Sequence, residues 1–293
     1  MAFPSARATP ATVTPDSPPT SVPSVPIINI AGSDLYYERR GEGAPLLLSQ
    51  GLCGNSLHWG EGFLGGLESD FELVLFDHRG AGRSGPLDGE HTIADLATDA
   101  IGVFDALELQ SAHVVGISMG GMVAQELVLQ APERVRTLTL GCTFPGGPEA
   151  TMTDMTVVGL LAEAVLSGDQ ERTMRVGYEV MIAADYGERE GAYELYTEIA
   201  AQYPAPIPVL MAQLSAIMGH DTSERLPEVA APTLVIHGTE DRLMDVANGE
   251  LIARLIPGAR LEVLEGSGHM FFWEQPERSA QLVREHAGSA ALS

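Results

Sequence analysis

The chain has 293 residues, with 40 acidic side chains against 16 basic ones and a formal net charge of −24 at pH 7. A surface this negative favours solubility and repels phosphate backbones and anionic lipid headgroups, so neither nucleic acid nor a membrane is expected as a partner. All sixteen basic residues are arginine and lysine is absent, which removes Schiff-base chemistry, a pyridoxal phosphate anchor, a phosphate-loop lysine and a Ser-Lys dyad.

In chain order, residues 1–26 hold seven prolines among Ser, Thr and Ala and lack the apolar run of a signal peptide. They are expected to form a disordered or polyproline-like leader. Residues 27–30 and 35–39 read as a short strand pair turning at Gly32-Ser33-Asp34. Four short, almost continuously apolar runs follow: Leu46-Leu47-Leu48, Leu73-Val74-Leu75-Phe76, His113-Val114-Val115-Gly116-Ile117 and Leu138-Thr139-Leu140. Runs of this kind suit strands covered on both faces. Between them Ile93, Leu96, Ala97, Ala100, Ile101, Phe104 and Leu107 recur at helical spacing, with Thr92 as N-cap. A helix over 122–129 follows the third apolar run. Late in the chain come a strand over 233–237, a helix over 246–255, a strand over 260–264 and a helix over 276–286.

Alternating β and α elements predict an α/β fold with a mostly parallel, doubly wound sheet. From 144 to 230 the strand signal vanishes and the segment reads as helical, with Met152, Met155, Met174, Met181, Met211 and Met218 spread through it. A helical insertion between two strands of one sheet is expected to sit as a cap over the carboxyl edge, where open α/β sheets place ligands. The predicted organisation is thus a core of 27–143 and 231–293 interrupted by a helical cap, 144–230; two separate domains are the competing arrangement. No segment approaches the ~20 apolar residues of a membrane span, and a cytoplasmic location is expected.

Cys53 and Cys142 are too far apart in sequence for a zinc knuckle or redox pair, and the eight histidines show no His-x-His or His-Glu-x-x-His pairing. Neither a metal nor a cofactor is expected. Gly80-Ala81-Gly82-Arg83-Ser84-Gly85 spells a dinucleotide fingerprint, yet Pro86, Asp88 and Gly89 follow where a helix should open, so it reads as a turn.

The sharpest local signal is Gly116-Ile117-Ser118-Met119-Gly120, directly after an apolar strand and before a helical pattern. A serine on such a tight strand-to-helix bend needs small residues two positions before and after it. The bend lifts the hydroxyl into open space and brings the Met119 N–H to where an oxyanion would form. A serine hydroxyl needs a base, and His269 in Gly266-Ser267-Gly268-His269 is the candidate; its alternative is a histidine that merely caps the next helix. The orienting carboxylate should lie between them in chain order. Asp241 is the first choice, with Glu240 and Asp245 as competing assignments.

With these residues the chain resembles the α/β-hydrolase fold superfamily, of the capped serine esterase and lactonase type, over about residues 27–287. Gln50-Gly51-Leu52-Cys53-Gly54 is similar to the family's oxyanion loop, and Asp77-His78-Arg79-Gly80-Ala81-Gly82-Arg83-Ser84 to a turn typical of it. The resemblance implies Leu52 N–H as a second oxyanion donor beside Met119. Gln50 stands where the family usually has histidine, so the bracing of that loop is expected to differ. Cys53 could face the pocket or be a small buried cysteine.

The implied reaction is hydrolysis of a carboxylic ester or lactone of a small to medium, mainly apolar substrate through an acyl-enzyme on Ser118. The same three residues could serve a carbon–carbon bond hydrolase, a perhydrolase or a natural-product cyclase or releasing enzyme. A ligand receptor without turnover is the alternative from another class. An anionic substrate would need an arginine anchor, with Arg172 and Arg175 as candidates. The sequence carries no signal for oligomeric state.

Overall fold

The computed structural model describes residues 26–87 and 89–289. The expected leader falls on 1–25, outside the described residues, apart from Pro26, whose carbonyl accepts the Tyr37 N–H at 3.1 Å. Eight strands form one sheet: β1 (Ile27–Ile30), β2 (Ser33–Arg40), β3 (Ala44–Ser49), β4 (Phe71–Phe76), β5 (Ala112–Ile117), β6 (Val135–Gly141), β7 (Thr233–Gly238) and β8 (Arg260–Leu264). Their order is β1-β2-β4-β3-β5-β6-β7-β8. The first two pairings are antiparallel and the remaining five parallel. The hairpin is tighter than the composition suggests: β2 already begins at Ser33, leaving Ala31 and Gly32, both at positive φ, as the turn.

The apolar strands are buried on both faces. Leu47, Val74, Val114 and Val235 point into one core with α2 (Ile93–Ala106), α3 (Met119–Gln130) and α9 (Val246–Leu255). Their neighbours Leu46, Leu48, Leu73, Val115 and Leu234 point into the other, with Trp59, α1 (Glu61–Gly65), α10 (Phe271–Glu274) and α11 (Pro276–Ser289). Period-two alternation with both sets apolar is what a doubly wound parallel sheet requires. Thr92 caps α2 as expected, in a reciprocal capping box with Asp95.

Between β6 and β7 lie α4 (Met155–Leu166), α5 (Gln170–Met181), α6 (Ala184–Gly187), α7 (Ala192–Gln202) and α8 (Ile207–Met218). No described helix is long and apolar enough to cross a membrane. The register of the parallel strands sets Ser49 beside Gly116, Ile117 beside Gly141, Gly141 beside Ile236, and Gly238 beside Leu264. The chain therefore leaves β3, β5, β7 and β8 at one carboxyl edge, and Leu52, Ser118, Met119, Asp241 and His269 lie just beyond it.

The turn after β5 depends on absent side chains. A Cβ at Gly116 would collide with the Gly120 carbonyl, and one at Gly120 with the carbonyls of Ser49 and Gln50. Replacing Gly120 by alanine should destabilise the protein by at least about 2 kcal/mol, since backbone rather than a flexible side chain must move. Gly65→Ala, where an added methyl meets nothing within 4 Å, should leave the melting temperature unchanged or slightly raised. Calorimetry on the two variants checks this, and a Gly120→Ala protein as stable as wild type would contradict the packing account.

Candidate active site

Ser118 is the N-cap of α3, with φ 54° and ψ −125°. A non-glycine residue there carries about 1–3 kcal/mol of backbone strain, which the surroundings must hold. They do so through the main chain. Ser118 N–H donates to the Gly141 carbonyl (2.8 Å), and its own carbonyl accepts from Gly121 N–H (2.9 Å), Met122 N–H (3.2 Å) and the Thr143 hydroxyl (2.7 Å). None of these bonds uses the side-chain oxygen. Met119 begins α3, so its N–H has no acceptor within the helix and lies at the positive end of the helix dipole.

Gly51 packs against this turn; a Cβ there would lie 3.0 Å from Ser118 Cβ and 3.5 Å from Oγ. The 50–54 loop thus passes directly over the serine. Its bracing differs from a histidine's in a definite way. Gln50 Oε1 accepts the neighbouring Gly51 N–H at 2.7 Å, while Gln50 Nε2 is buried with no partner among the described residues. From the inserted helices, Gln213 Oε1 accepts the Cys53 N–H at 2.7 Å. Among the described hydrogen bonds neither the Leu52 nor the Met119 N–H donates to a protein acceptor.

His269 follows β8 on a loop that glycine makes possible. Gly266 has φ 68°, and a Cβ at Gly268 would come within 2.7 Å of Ala183 N and 2.9 Å of the Met181 carbonyl. The ring is buried, with Nδ1 2.8 Å from Asp241 Oδ2. Asp241 Oδ1 accepts the N–H groups of Leu243 (2.9 Å) and Met244 (2.8 Å). A carboxylate partner leaves the proton on Nδ1 and the lone pair on Nε2. No hydrogen bond joins Ser118 Oγ to the His269 ring in this conformation. Of the competing carboxylates, Asp245 is engaged as the N-cap of α9, accepting from Ala247 N–H at 2.9 Å, and Glu240 faces solvent.

Burial alone would push the Asp241 carboxyl up, but the charge of His269 and hydrogen bonds from His237 and His269 outweigh it and hold it well below the usual carboxylate range. His237 escaped the sequence reading because it lies inside an apolar strand. Its Nε2 donates to the Met244 carbonyl at 2.8 Å and lies 3.4 Å from Asp241 Oδ2. Glu274 escaped it too, masked by the aromatic run before it. Its oxygens accept Gly268 N–H (2.8 Å) and Ala183 N–H (3.2 Å), tying the His269 loop to the inserted segment. Burial raises its pKa, the charges of Asp241 and Glu240 add to that, and the two amides oppose it.

Cys142, His237 and Asp241 bring three potential ligand atoms within 4.8 Å of one another. Nε2 of His237 is committed to a carbonyl, and burial holds the Cys142 thiol protonated, with its pKa well above normal, so the donor set does not suit a cation. The turn at 80–85 is a brace: Asp77 accepts Ser56 N–H (2.6 Å) and Arg83 N–H (2.9 Å). Arg172 pairs with Glu163 at the surface (2.6 Å), whereas Arg175 stacks on Tyr193 and lines a cavity of about 700 Å³ that also touches Asp241. Four of the six inserted methionines, Met152, Met155, Met211 and Met218, are 58–78% exposed; Met211 and Met152 border open surface cavities, and none of the four is buried in the packing of the helices.

A model of the alpha/beta hydrolase fold family matches residues 44–276. A protein provisionally named carbamate hydrolase RutD, from Azorhizobium caulinodans, is 30% identical over 266 residues, 90% of this chain and 98% of that protein. A hydrolase structure from Pseudomonas aeruginosa superposes with a TM-score of 0.79 at 29% identity, covering 92% of this chain and 100% of that one. The enol-lactonase of Burkholderia xenovorans does so with a TM-score of 0.79 at 25% identity, covering 89% and 99%.

Both thiols lie close to the site, and burial pushes the Cys53 thiol up to about 12. The thiolate is the reactive form, so neither cysteine should react with a disulfide reagent at about pH 8 in the native protein, and both should titrate after unfolding in guanidinium. Rapid release of chromophore from the folded protein would show that Cys53 is accessible after all.

Proposed function

The chain belongs to the alpha/beta hydrolase fold family and is a hydrolase, and from that premise we propose that it cleaves a carboxylic ester or lactone through an acyl-enzyme on Ser118. The observation that carries the reading is a serine held at positive φ on a helix N-terminus, at the same sheet edge as a buried histidine whose Nδ1 is given to a carboxylate.

In this reading Ser118 Oγ attacks the substrate carbonyl carbon while its proton passes to His269 Nε2. The hydroxyl–imidazole contact closes as substrate binds, as is common for sites that tighten only in the Michaelis complex. Asp241 keeps the ring oriented and stabilises the imidazolium. The tetrahedral oxyanion takes hydrogen bonds from the Leu52 and Met119 N–H groups. Collapse breaks the carbonyl–oxygen bond and the leaving alkoxide takes the proton from Nε2. Water then attacks the acyl-enzyme, giving a proton to His269 Nε2, and the second tetrahedral intermediate collapses with Ser118 Oγ leaving and taking that proton back as the acid is released.

The inserted segment, residues 144–230, acts as a helical cap over the carboxyl edge of the sheet in this proposal. Met181, Ile182 and Ala183 on that segment border the His269 loop, and their mainly apolar character suits a small to medium, mainly apolar acyl group. A carbamate carbonyl carries the same kind of heteroatom leaving group, and the relative's name makes carbamates the second substrate class to test. The net charge of −24 disfavours nucleic acid as a partner.

A panel of p-nitrophenyl esters, lactones and carbamates should give turnover with wild type and none with Ser118→Ala, whose circular dichroism should be unchanged. Asp241→Asn should lower kcat by about 10³ to 10⁴, by favouring the wrong histidine tautomer. Ester turnover retained by Ser118→Ala refutes the assignment.

We also assign Glu274 as a positioning residue for His269. Glu274→Ala should lower kcat roughly 10²-fold with little change in KM, because a displaced imidazole spoils the reacting geometry rather than binding. The ionised carboxylate is the better acceptor for both amides, so protonation of Glu274 below its raised pKa should add to the fall of wild-type kcat at low pH. Glu274→Gln, which cannot titrate, should show a less steep acid limb. An identical acid limb in both proteins would remove Glu274 from this role.

A further inference from the structure

The helices inserted between β6 and β7 carry most of the exposed large apolar side chains, and α4 is the extreme case. Glu163 is its only charged residue and is paired with Arg172. Val157, Leu161 and Ala164 form the side turned inward, where α4 packs on α5. On the opposite side Met155, Val158, Gly159, Ala162 and Leu166 recur at i, i+3, i+4, i+7 and i+11, which places them in one stripe along the helix. Met155 is 78% and Leu166 85% exposed, and an added Cβ at Gly159 would meet nothing within 4 Å.

Four of the five stripe residues match their own reverse. Turning a second α4 end for end about the helix midpoint sets Met155 against Leu166 and Gly159 against Ala162, large against large at both ends and small against small in the middle, while Val158 falls opposite Glu163, whose charge is paired with Arg172. That is the requirement of a two-fold contact, in which each patch must fit itself, and the small central residues let two helix axes approach closely. With Val165 on one flank the face stays apolar along the length of the helix. A two-fold contact at the lower bound of a specific interface needs roughly 600 Å² from each copy. Charge selects the same face. Copies of a protein with net charge −24 repel one another, and a contact through any strongly acidic face would bring like charges together, a penalty that α4 largely escapes. The acidic remainder of the surface also disfavours an anionic bilayer as occupant.

We propose that α4 is a self-association face through which two copies of this chain pair in antiparallel register. This does not depend on the reaction proposed for the site.

Sedimentation of the full chain from roughly 1 to 100 µM should show the average mass rising from monomer toward dimer. Met155→Glu and Leu166→Glu, both at solvent-facing positions of the single chain, should each weaken pairing at least about tenfold, with ester hydrolysis and circular dichroism unchanged. The register has its own readout: Met155→Cys and Leu166→Cys proteins, mixed and oxidised, should form a disulfide-linked dimer that neither forms alone. A monomer across the whole range overturns the proposal, as does a dimer indifferent to both glutamates or a disulfide formed as readily by one variant alone. A monomer that binds phosphatidylcholine vesicles through Met155 also overturns it, assigning the face to a lipid surface.

Discussion

Ser118 sits at a positive φ that its side chain disfavours, and the rest of the sheet edge is arranged to keep it there. The strain is held from three directions: by β6 through the Gly141 carbonyl, by Thr143 on the Ser118 carbonyl, and by glycines at 116 and 120 where any side chain would strike backbone. Relaxing the bend would carry the hydroxyl away from the first amide of α3 and from the 50–54 loop that passes over it. Local strain of about 1–3 kcal/mol is small beside the burial of a sheet whose strands are apolar on both faces, so the fold can sustain it.

The neighbouring electrostatics follow from burial. Among the carboxylates enclosed at this edge, Asp241 and Glu274 are treated in opposite ways. Asp241 has two backbone amides and two histidines around it, so its charge is compensated despite the burial. Glu274 has amides alone, with Asp241 and Glu240 as acidic neighbours, and its proton is held more tightly. One carboxylate stays ionised to orient an imidazole; the other fastens the loop that carries it.

Among the links that join the inserted helices to that edge are Glu274 to Ala183, Met270 N–H to the Met181 carbonyl, Gln213 to Cys53, and the ring of Tyr196 against Trp273. They attach the insertion to the His269 loop, to the 50–54 loop and to α10. The apolar surface of the insertion is divided accordingly. Tyr178, Tyr196, Met174 and Met181 face the core, while α4 and much of α8 turn their apolar side chains outward. A methionine-rich composition reads alike in both situations, so the sequence does not separate the inward-facing methionines from the outward-facing ones.

Patterns that live within one element were legible from the start. Period-two burial with both faces apolar identifies β3 to β7, Thr92 and Asp95 mark the start of α2, and the small residues around Ser118 mark the bend, because each is decided by neighbours a few positions away. Contacts between distant segments were not. That Asp241 rather than Asp245 or Glu240 meets His269, that His237 stands behind the pair, and that Glu274 closes the loop depends on which strand ends lie side by side. By itself the sequence determined the fold class and the serine bend, through local sterics and hydrophobic period. Tertiary structure alone decided the carboxylate, the bracing and the outward face of α4, because burial and register are properties of the assembled sheet.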